Sequence, residues 1–321
     1  MKGFDAEFRD LDHYIRVITD RIWEGRRIDD IRRYYGEGCA VETPSSVSIG
    51  VGPVIDGTRA TLAAFPDRRL LAEDVIVSGD EEHGFLSSHR IFSPMTHAGP
   101  GAFGTPTGRP LHVRTIADCV CKDNRIVHEW LVRDQAAIAR QIGRHERDLA
   151  QQWLDERGGW NKPAMPAPPG AYVSFVDERA VAADYAATLV QAWAGGGLAG
   201  LQRTHAADVI SALPAGEVAV GLGALQRFWA GLAEALPAPQ ITVEHLVANE
   251  RPGRATALAM RWRARAVHRG AGRYGAPSGR PVEVLAISHA EVEAGRVLRE
   301  WHLIDDVAVW MQVLPARSAG G

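Results

Sequence analysis

Phe103-Gly104-Thr105-Pro106-Thr107-Gly108-Arg109-Pro110-Leu111 returns later in the chain as Tyr274-Gly275-Ala276-Pro277-Ser278-Gly279-Arg280-Pro281-Val282. At the same spacing, Arg125-Ile126-Val127-His128-Glu129-Trp130 returns as Arg296-Val297-Leu298-Arg299-Glu300-Trp301, and Asp134 falls on Asp305. One offset across separate blocks means that the stretch between them aligns without a gap. Working backwards, Ile49-Gly50-Val51-Gly52 matches Val220-Gly221-Leu222-Gly223. After a one-residue insertion in the second copy, Pro44 matches Pro214 and Trp23 matches Trp193. The period is far longer than that of a stacking solenoid, so each copy is a domain.

The 321 residues are enough for two domains, each with its own core. Hydrophobic residues make up 46% and charged residues 23%, the globular norm. A net charge of −3 without a basic run argues against nucleic acid or an anionic membrane as partner. The N-terminus lacks an apolar signal-peptide region, and no apolar run is long enough to span a bilayer. Three cysteines, Cys39, Cys119 and Cys121, all lie in the first copy, which suits a reducing cytoplasm better than a disulfide framework.

Each copy opens with helices. Leu11, Tyr14, Ile15, Ile18 and Ile22 form an apolar helical face, matched by Val181, Tyr185, Leu189 and Trp193. Short second helices follow at Ile28–Tyr35 and near Leu198–Leu201, and third ones near Arg59–Phe65 and Leu225–Ala235. Strands come next, at Val75–Val77, Gly84–Phe92, Leu111–Val120 and Arg125–Val132. Lys122-Asp123-Asn124 and Glu293-Ala294-Gly295 are turns that make the last two strands of each copy antiparallel hairpins. Helices first and a meander afterwards define an α+β class. Gln135–Glu156 reads as a helix leaving the first copy, and the proline-rich Lys162–Gly170 as an extended connector. The expected division is domain 1 over 1–145, a linker over 146–176, domain 2 over 177–314, and a disordered tail over 315–321.

A helical start, then Gly-x-Pro-[Thr/Ser]-Gly-Arg-Pro before a strand, then Arg-Ile-Val-x-Glu-Trp-x3-Asp, resembles the SnoaL-like polyketide cyclases. Those belong to the wider nuclear-transport-factor-2-like superfamily, with ketosteroid isomerase, scytalone dehydratase and limonene epoxide hydrolase. The resemblance covers nearly the whole chain, once per copy. It implies, in each copy, a cone in which a curved antiparallel sheet wraps a long helix and leaves an apolar pocket. Two copies in one chain imply an intrachain pseudo-dimer, with further association into a homodimer left open. The implied activity is cofactor-free acid–base chemistry on a small apolar carbonyl or aromatic compound: aldol cyclisation, isomerisation or dehydration. The fold also hosts members that only bind ligands.

In the cyclases a pocket carboxylate moves the proton, and the matching residues are Asp134 and Asp305. The alternative is helix capping, because Asp134 precedes Gln135-Ala136-Ala137-Ile138. His89, His289 and His302 are further acid–base candidates, and His289 and His302 could equally stand on opposite sheet faces. Trp23, Tyr35, Trp130, Trp193 and Trp301 are candidate pocket walls, against the alternative of core packing. His112 and Asp118 share a strand face and could line a pocket or meet solvent. His97 and His268 recur in both copies and read as loop-shaping. Glu129 and Glu300 alternate away from Trp130 and Trp301, and Glu129 reads as a cross-strand partner of Arg114. Gly195-Gly196-Gly197-Leu198-Ala199-Gly200 follows a helix, not a strand, so it is a helix–helix turn and not a dinucleotide site. Cys119-x-Cys121 lacks a second pair, and no cluster has metal-ligand spacing, so neither metal nor cofactor is expected.

Overall fold

The computed structural model describes residues 1–168, 172–195 and 197–317. Part of the proline-rich connector, Gly196 of the glycine turn and the end of the tail at 318–321 therefore lie outside the described residues. The chain divides into two compact units, one of 1–145 and 161–173, the other of 146–160 and 174–321. Among the described residues no helix is long and apolar enough to cross a membrane.

Unit 1 begins with α1 (Leu11–Thr19), started by Asp10, whose side chain accepts from His13 N. Leu11, Tyr14, Ile15 and Ile18 are buried along one face, the stripe that the helical spacing predicts. A short α2 (Ile31–Tyr34) leads directly into β1 (Tyr35–Thr43) and β2 (Ser46–Ile49). The longer α3 (Val51–Ala64) follows Gly50, whose φ of 96° only glycine adopts freely. Then come β3 (Leu71–Asp80), β4 (Gly84–Thr96), β5 (Pro110–Lys122), β6 (Arg125–Arg133) and α4 (Gln135–Gln141). The sheet order is β2-β1-β6-β5-β4-β3. All pairs are antiparallel except β1 with β6, which run parallel. The expected wholly antiparallel meander is thus a mixed sheet with two added strands. They escape a period-2 reading because Gly36, Glu37 and Gly38 interrupt β1, and Ile28, Ile31 and Tyr35 continue a helical spacing up to its first residue.

Unit 2 repeats the plan. Its α5 (Glu146–Glu156) packs against the unit's last helix, and α6 (Ala180–Trp193) and α7 (Leu198–Thr204) precede β7 (His205–Ala212) and β8 (Val218–Val220). Helix α8 (Leu222–Ala235) leads to β9 (Gln240–Asn249), β10 (Thr256–Val267), β11 (Pro281–Glu293), β12 (Arg296–Ile304) and α9 (Asp306–Val313). The order β8-β7-β12-β11-β10-β9 again has one parallel pair, β7 with β12. The segment 146–176 is shared: 146–160 groups with unit 2, and 161–173 with unit 1, where Lys162 Nζ stands 2.6 Å from Glu42 Oε1. Of the tail, Pro315 O accepts from Gln151 at 3.1 Å, and Arg317 N donates to Asp155 at 3.0 Å.

The repeated glycine-rich loop has a plain steric reason. A Cβ on Gly99 would lie 1.8 Å from Ala63 O, and one on Gly270 would lie 1.8 Å from Glu234 O. The loop therefore runs flush against the end of α3 or α8, where Gly99 N and Gly270 N each donate to a helix carbonyl. His97 and His268 close it, each with Nδ1 beside a hydroxyl, Thr107 or Ser278, at 3.3 and 3.1 Å. The loop-shaping reading of these two histidines fits that geometry.

Candidate active site

The core of unit 1 lies between α1 to α3 and one face of the sheet, which carries Cys39, Val75, Ala117, Cys119 and Cys121. Strand registers extend that face without ambiguity. Ser87, Cys119, Glu129 and Val41 form one row across β4, β5, β6 and β1. His89, Ala117 and Leu131 form the next, and Ile91, Thr115 and Arg133 the one beyond. Glu129 is therefore an interior residue, 4% exposed. Arg114 belongs to the opposite face, where Glu73 takes it at 2.9 Å together with Arg90 at 3.1 Å. That corrects the expected Glu129–Arg114 pair: alternation separates Glu129 from Trp130 properly, but Glu129 faces the helices.

Burial pushes the Glu129 carboxyl up, and the Tyr35 hydroxyl and the Arg133 charge offset only part of it, leaving a pKa of about 7. Tyr35 opens β1 beside Ile126, with burial and then Glu129 holding its phenol well above the usual range. The three thiols are free, and burial raises them. His89 is buried, and burial with the Arg16 charge lowers it to about 3, so the ring is neutral.

Unit 2 builds a different centre at the same place. Glu300, the counterpart of Glu129, is 1% exposed. Ser211 Oγ donates to its Oε1 at 2.7 Å, and His205 Nε2 and His302 Nε2 stand 3.2 and 3.0 Å from its Oε2. Burial alone would raise this carboxyl, but His302 and His205 outweigh it and hold the group well below the usual carboxylate range. His302 Nδ1 lies 2.9 Å from Ser288 Oγ, which also accepts from the Trp262 indole at 3.0 Å. Trp193 packs edge-on to Trp262 at 5.6 Å and donates to Leu236 O, and Trp229 stands 5.1 Å from the His302 ring.

The residues proposed from sequence are scattered by this geometry. Asp134 caps α4 by accepting from Ala137 N at 3.0 Å, and Asp305 caps α9 by accepting from Val307 N at 3.1 Å. Tyr35 and His89 lie on the interior face of unit 1, and His302 and Trp193 in the interior of unit 2. Trp23 is half-buried at the edge of the unit 1 core. Asp118 and Trp130 stand on the sheet face opposite the helices, Asp118 accepting from Ser88 at 2.5 Å and Trp130 lying 4.4 Å from the His128 ring. His289 shares a row with Trp301 on the corresponding face of unit 2, opposite to His302. His112 is exposed and stacks on Phe92 at 5.1 Å. Glu129 and Glu300 are buried interior carboxyls to which sequence reasoning gave no site role. Their recurrence in both copies, at an alternation away from a tryptophan, was the available signal. Among the described residues no group of three or more His, Cys, Asp or Glu is arranged to hold a metal ion.

The model of the SnoaL-like polyketide cyclases matches residues 14–142 and again 183–313, together well over half of the chain. The chain belongs to that family, with two tandem copies of its fold. No curated protein matches it in sequence. Among solved structures it is similar to a SnoaL-like polyketide cyclase from Agrobacterium tumefaciens str. C58, at 21% identity over 42% of this chain and 100% of that one, with a TM-score of 0.34. TsrD from Streptomyces laurentii is 20% identical over 41% of this chain and 94% of its own, with a TM-score of 0.36. A hypothetical protein of ketosteroid isomerase-like fold from Catenulispora acidiphila DSM 44928 is 15% identical over 44% of this chain and 97% of its own, at 0.35.

Proposed function

We propose that unit 1 is an acid–base catalyst acting on a small carbonyl compound, in an aldol cyclisation, isomerisation or dehydration. Glu129 is its proton-transfer group. The observation that carries the reading is a carboxyl with a pKa of about 7, buried against the Tyr35 hydroxyl on the face where the family's sheet meets its helices. A group that titrates near neutrality is both a competent base and a competent acid, because each form is populated and proton transfer has driving force both ways. As the carboxylate, Glu129 removes a proton from the carbon next to the carbonyl. The electron pair moves into the carbonyl oxygen, the protonated Glu129 returns the proton to another atom, and the enzyme regains its starting state. Tyr35 anchors the carboxyl. Glu300 supports the asymmetry, since a carboxylate held far below neutrality is a weak base. Unit 2 thus keeps the fold with a carboxylate held ionised by its neighbours in place of a titrating acid.

The test is deuterium uptake from heavy water into small aryl ketones and β-diketones, read by mass spectrometry. Wild-type protein is expected to speed exchange at the carbon next to the carbonyl, and Glu129→Gln to lose the acceleration while keeping its circular dichroism. Equal exchange with and without Glu129 points to the non-catalytic ligand-binding role that the fold also supports.

A further inference from the structure

Arg68 sits in the turn between α3 and β3 and is 5% exposed. Among the described residues its side chain has one hydrogen bond, a long one of 3.5 Å from Nη2 to Ser93 Oγ, and it has no ion-pair partner. Burial, then the like charges of Arg133 and Arg26, pull its guanidinium well below the usual range, and the Glu24 charge offsets only part of this. A buried cation without a counter-ion is among the most expensive arrangements in a protein. The turn does not relieve it, although a carboxylate is adjacent in sequence. Asp67 is turned away, accepting from Thr96 N and Thr96 Oγ1, both at 2.7 Å. On the other side Arg69 N donates to Pro94 O at 3.1 Å, and Leu70 N donates to Glu24 at 2.6 Å. Arg68 is held inward between two pinned neighbours.

The sheet face that carries Ser93 holds further unsatisfied groups. Ser93 continues the interior row of β4 that carries His89, and Thr115 stands across from both Ile91 and Arg133. Among the described residues, His89 Nε2 and Thr115 Oγ1 are buried with no hydrogen-bond partner. Each of these polar positions has an apolar counterpart in the second copy. Arg68 aligns with Pro239, His89 with Met260, Ser93 with Ala264, Thr115 with Ala286 and Arg133 with Ile304. The sheet registers agree, since Ala286 pairs with Ile304 as Thr115 pairs with Arg133. The fold therefore forms without these groups, and their presence in unit 1 calls for a ligand.

We propose that unit 1 binds a carboxylate-bearing ligand, its anionic group held by the Arg68 guanidinium with Ser93 and Thr115 hydroxyls, on the same interior face as Glu129. The inference rests on the catalytic reading of unit 1 and deepens it by giving the carbonyl substrate an acidic group. The guanidinium fork matches a carboxylate in two parallel hydrogen bonds, and an interior, water-poor setting strengthens the pair. Such an anchor would set the reacting carbon at a fixed distance from Glu129.

The test uses 2-naphthoate and 2-naphthamide, the same ring with and without the charge, titrated calorimetrically into the full chain. Naphthoate is expected to bind at least about tenfold more tightly than the amide, as a charge-assisted pair gives. Arg68→Met should abolish that preference and raise the melting temperature of the unliganded protein, because it removes an uncompensated buried charge. A second variant, Thr115→Val, should weaken naphthoate and leave the amide unchanged. Equal binding of the two compounds, binding of neither, a preference that survives in Arg68→Met, or a lower melting temperature in that variant overturns the proposal. Glu129→Gln separates the two readings: it should lose deuterium exchange and keep the preference for naphthoate.

Discussion

Replacing Glu129 by Gln should make the protein more stable at neutral and alkaline pH. The folded chain raises this carboxyl from 4.5 to about 7. Between those values the folded state holds a proton that the unfolded state has released. Stability therefore falls as pH rises through that window and levels off above it. The rise corresponds to about 3 kcal/mol at the plateau. Glutamine keeps the shape, can still meet the Tyr35 hydroxyl, and carries no charge at any pH, so it escapes the loss. The assay is urea unfolding of wild type and Glu129→Gln side by side, from about pH 5 to about pH 9. The two should nearly coincide at the acid end. The variant should gain progressively towards neutrality and lead by up to about 3 kcal/mol at the alkaline end. A lead that does not change with pH, or a variant less stable than wild type near pH 8, would refute the argument that burial governs Glu129.

The counterpart in unit 2 should behave in the opposite sense. Glu300→Gln removes an ion that Ser211, His205 and His302 surround, and should cost about 3 kcal/mol or more near neutrality. Because the folded pKa is depressed, the wild-type advantage should shrink as pH falls through it, in the same urea series; a deficit that grows in acid contradicts the assignment. Asp134→Ala should cost about 1 kcal/mol through the lost cap of α4, and Asp134→Asn much less, with deuterium exchange untouched in both. A folded Asp134→Asn that no longer exchanges would return the catalytic role to that residue. Gly99→Ala and Gly270→Ala should each lower stability by about 2 kcal/mol or more, since the added methyl collides with a helix carbonyl; unchanged melting curves would show that the loop yields freely.

Periodicity and repetition carried the fold a long way. The duplicated Gly-Arg-Pro and Glu-Trp blocks fall at the start of β5 and within β6 of one copy, and at β11 and β12 of the other. The apolar stripe of α1 is buried as its spacing implies. Strand β1 was hidden because its glycines and charged residues break the alternation, and its parallel pairing with β6 joins segments far apart in sequence. The site was harder to read for a related reason. Alternation assigns residues to two faces of a strand without saying which face meets the helices. In β5 and β6 both faces are largely buried, so polarity does not mark the interior. Asp134 and Asp305 occupy the position the family motif suggests, and one oxygen of each accepts from the helix start that follows. Arg68 carries no motif at all. Its isolation is visible only when the turn that pins it and the apolar residues of the second copy are set side by side.

The most direct measurement is the protonation state of Glu129 itself, by infrared difference spectroscopy of the full chain across pH with Glu129→Gln as the blank. The account predicts a carbonyl band of a protonated carboxylic acid that titrates near pH 7 and is absent from the variant. A carboxyl that is already ionised in the ordinary range, with no band lost in Glu129→Gln, contradicts the assignment of Glu129 as the proton-transfer group.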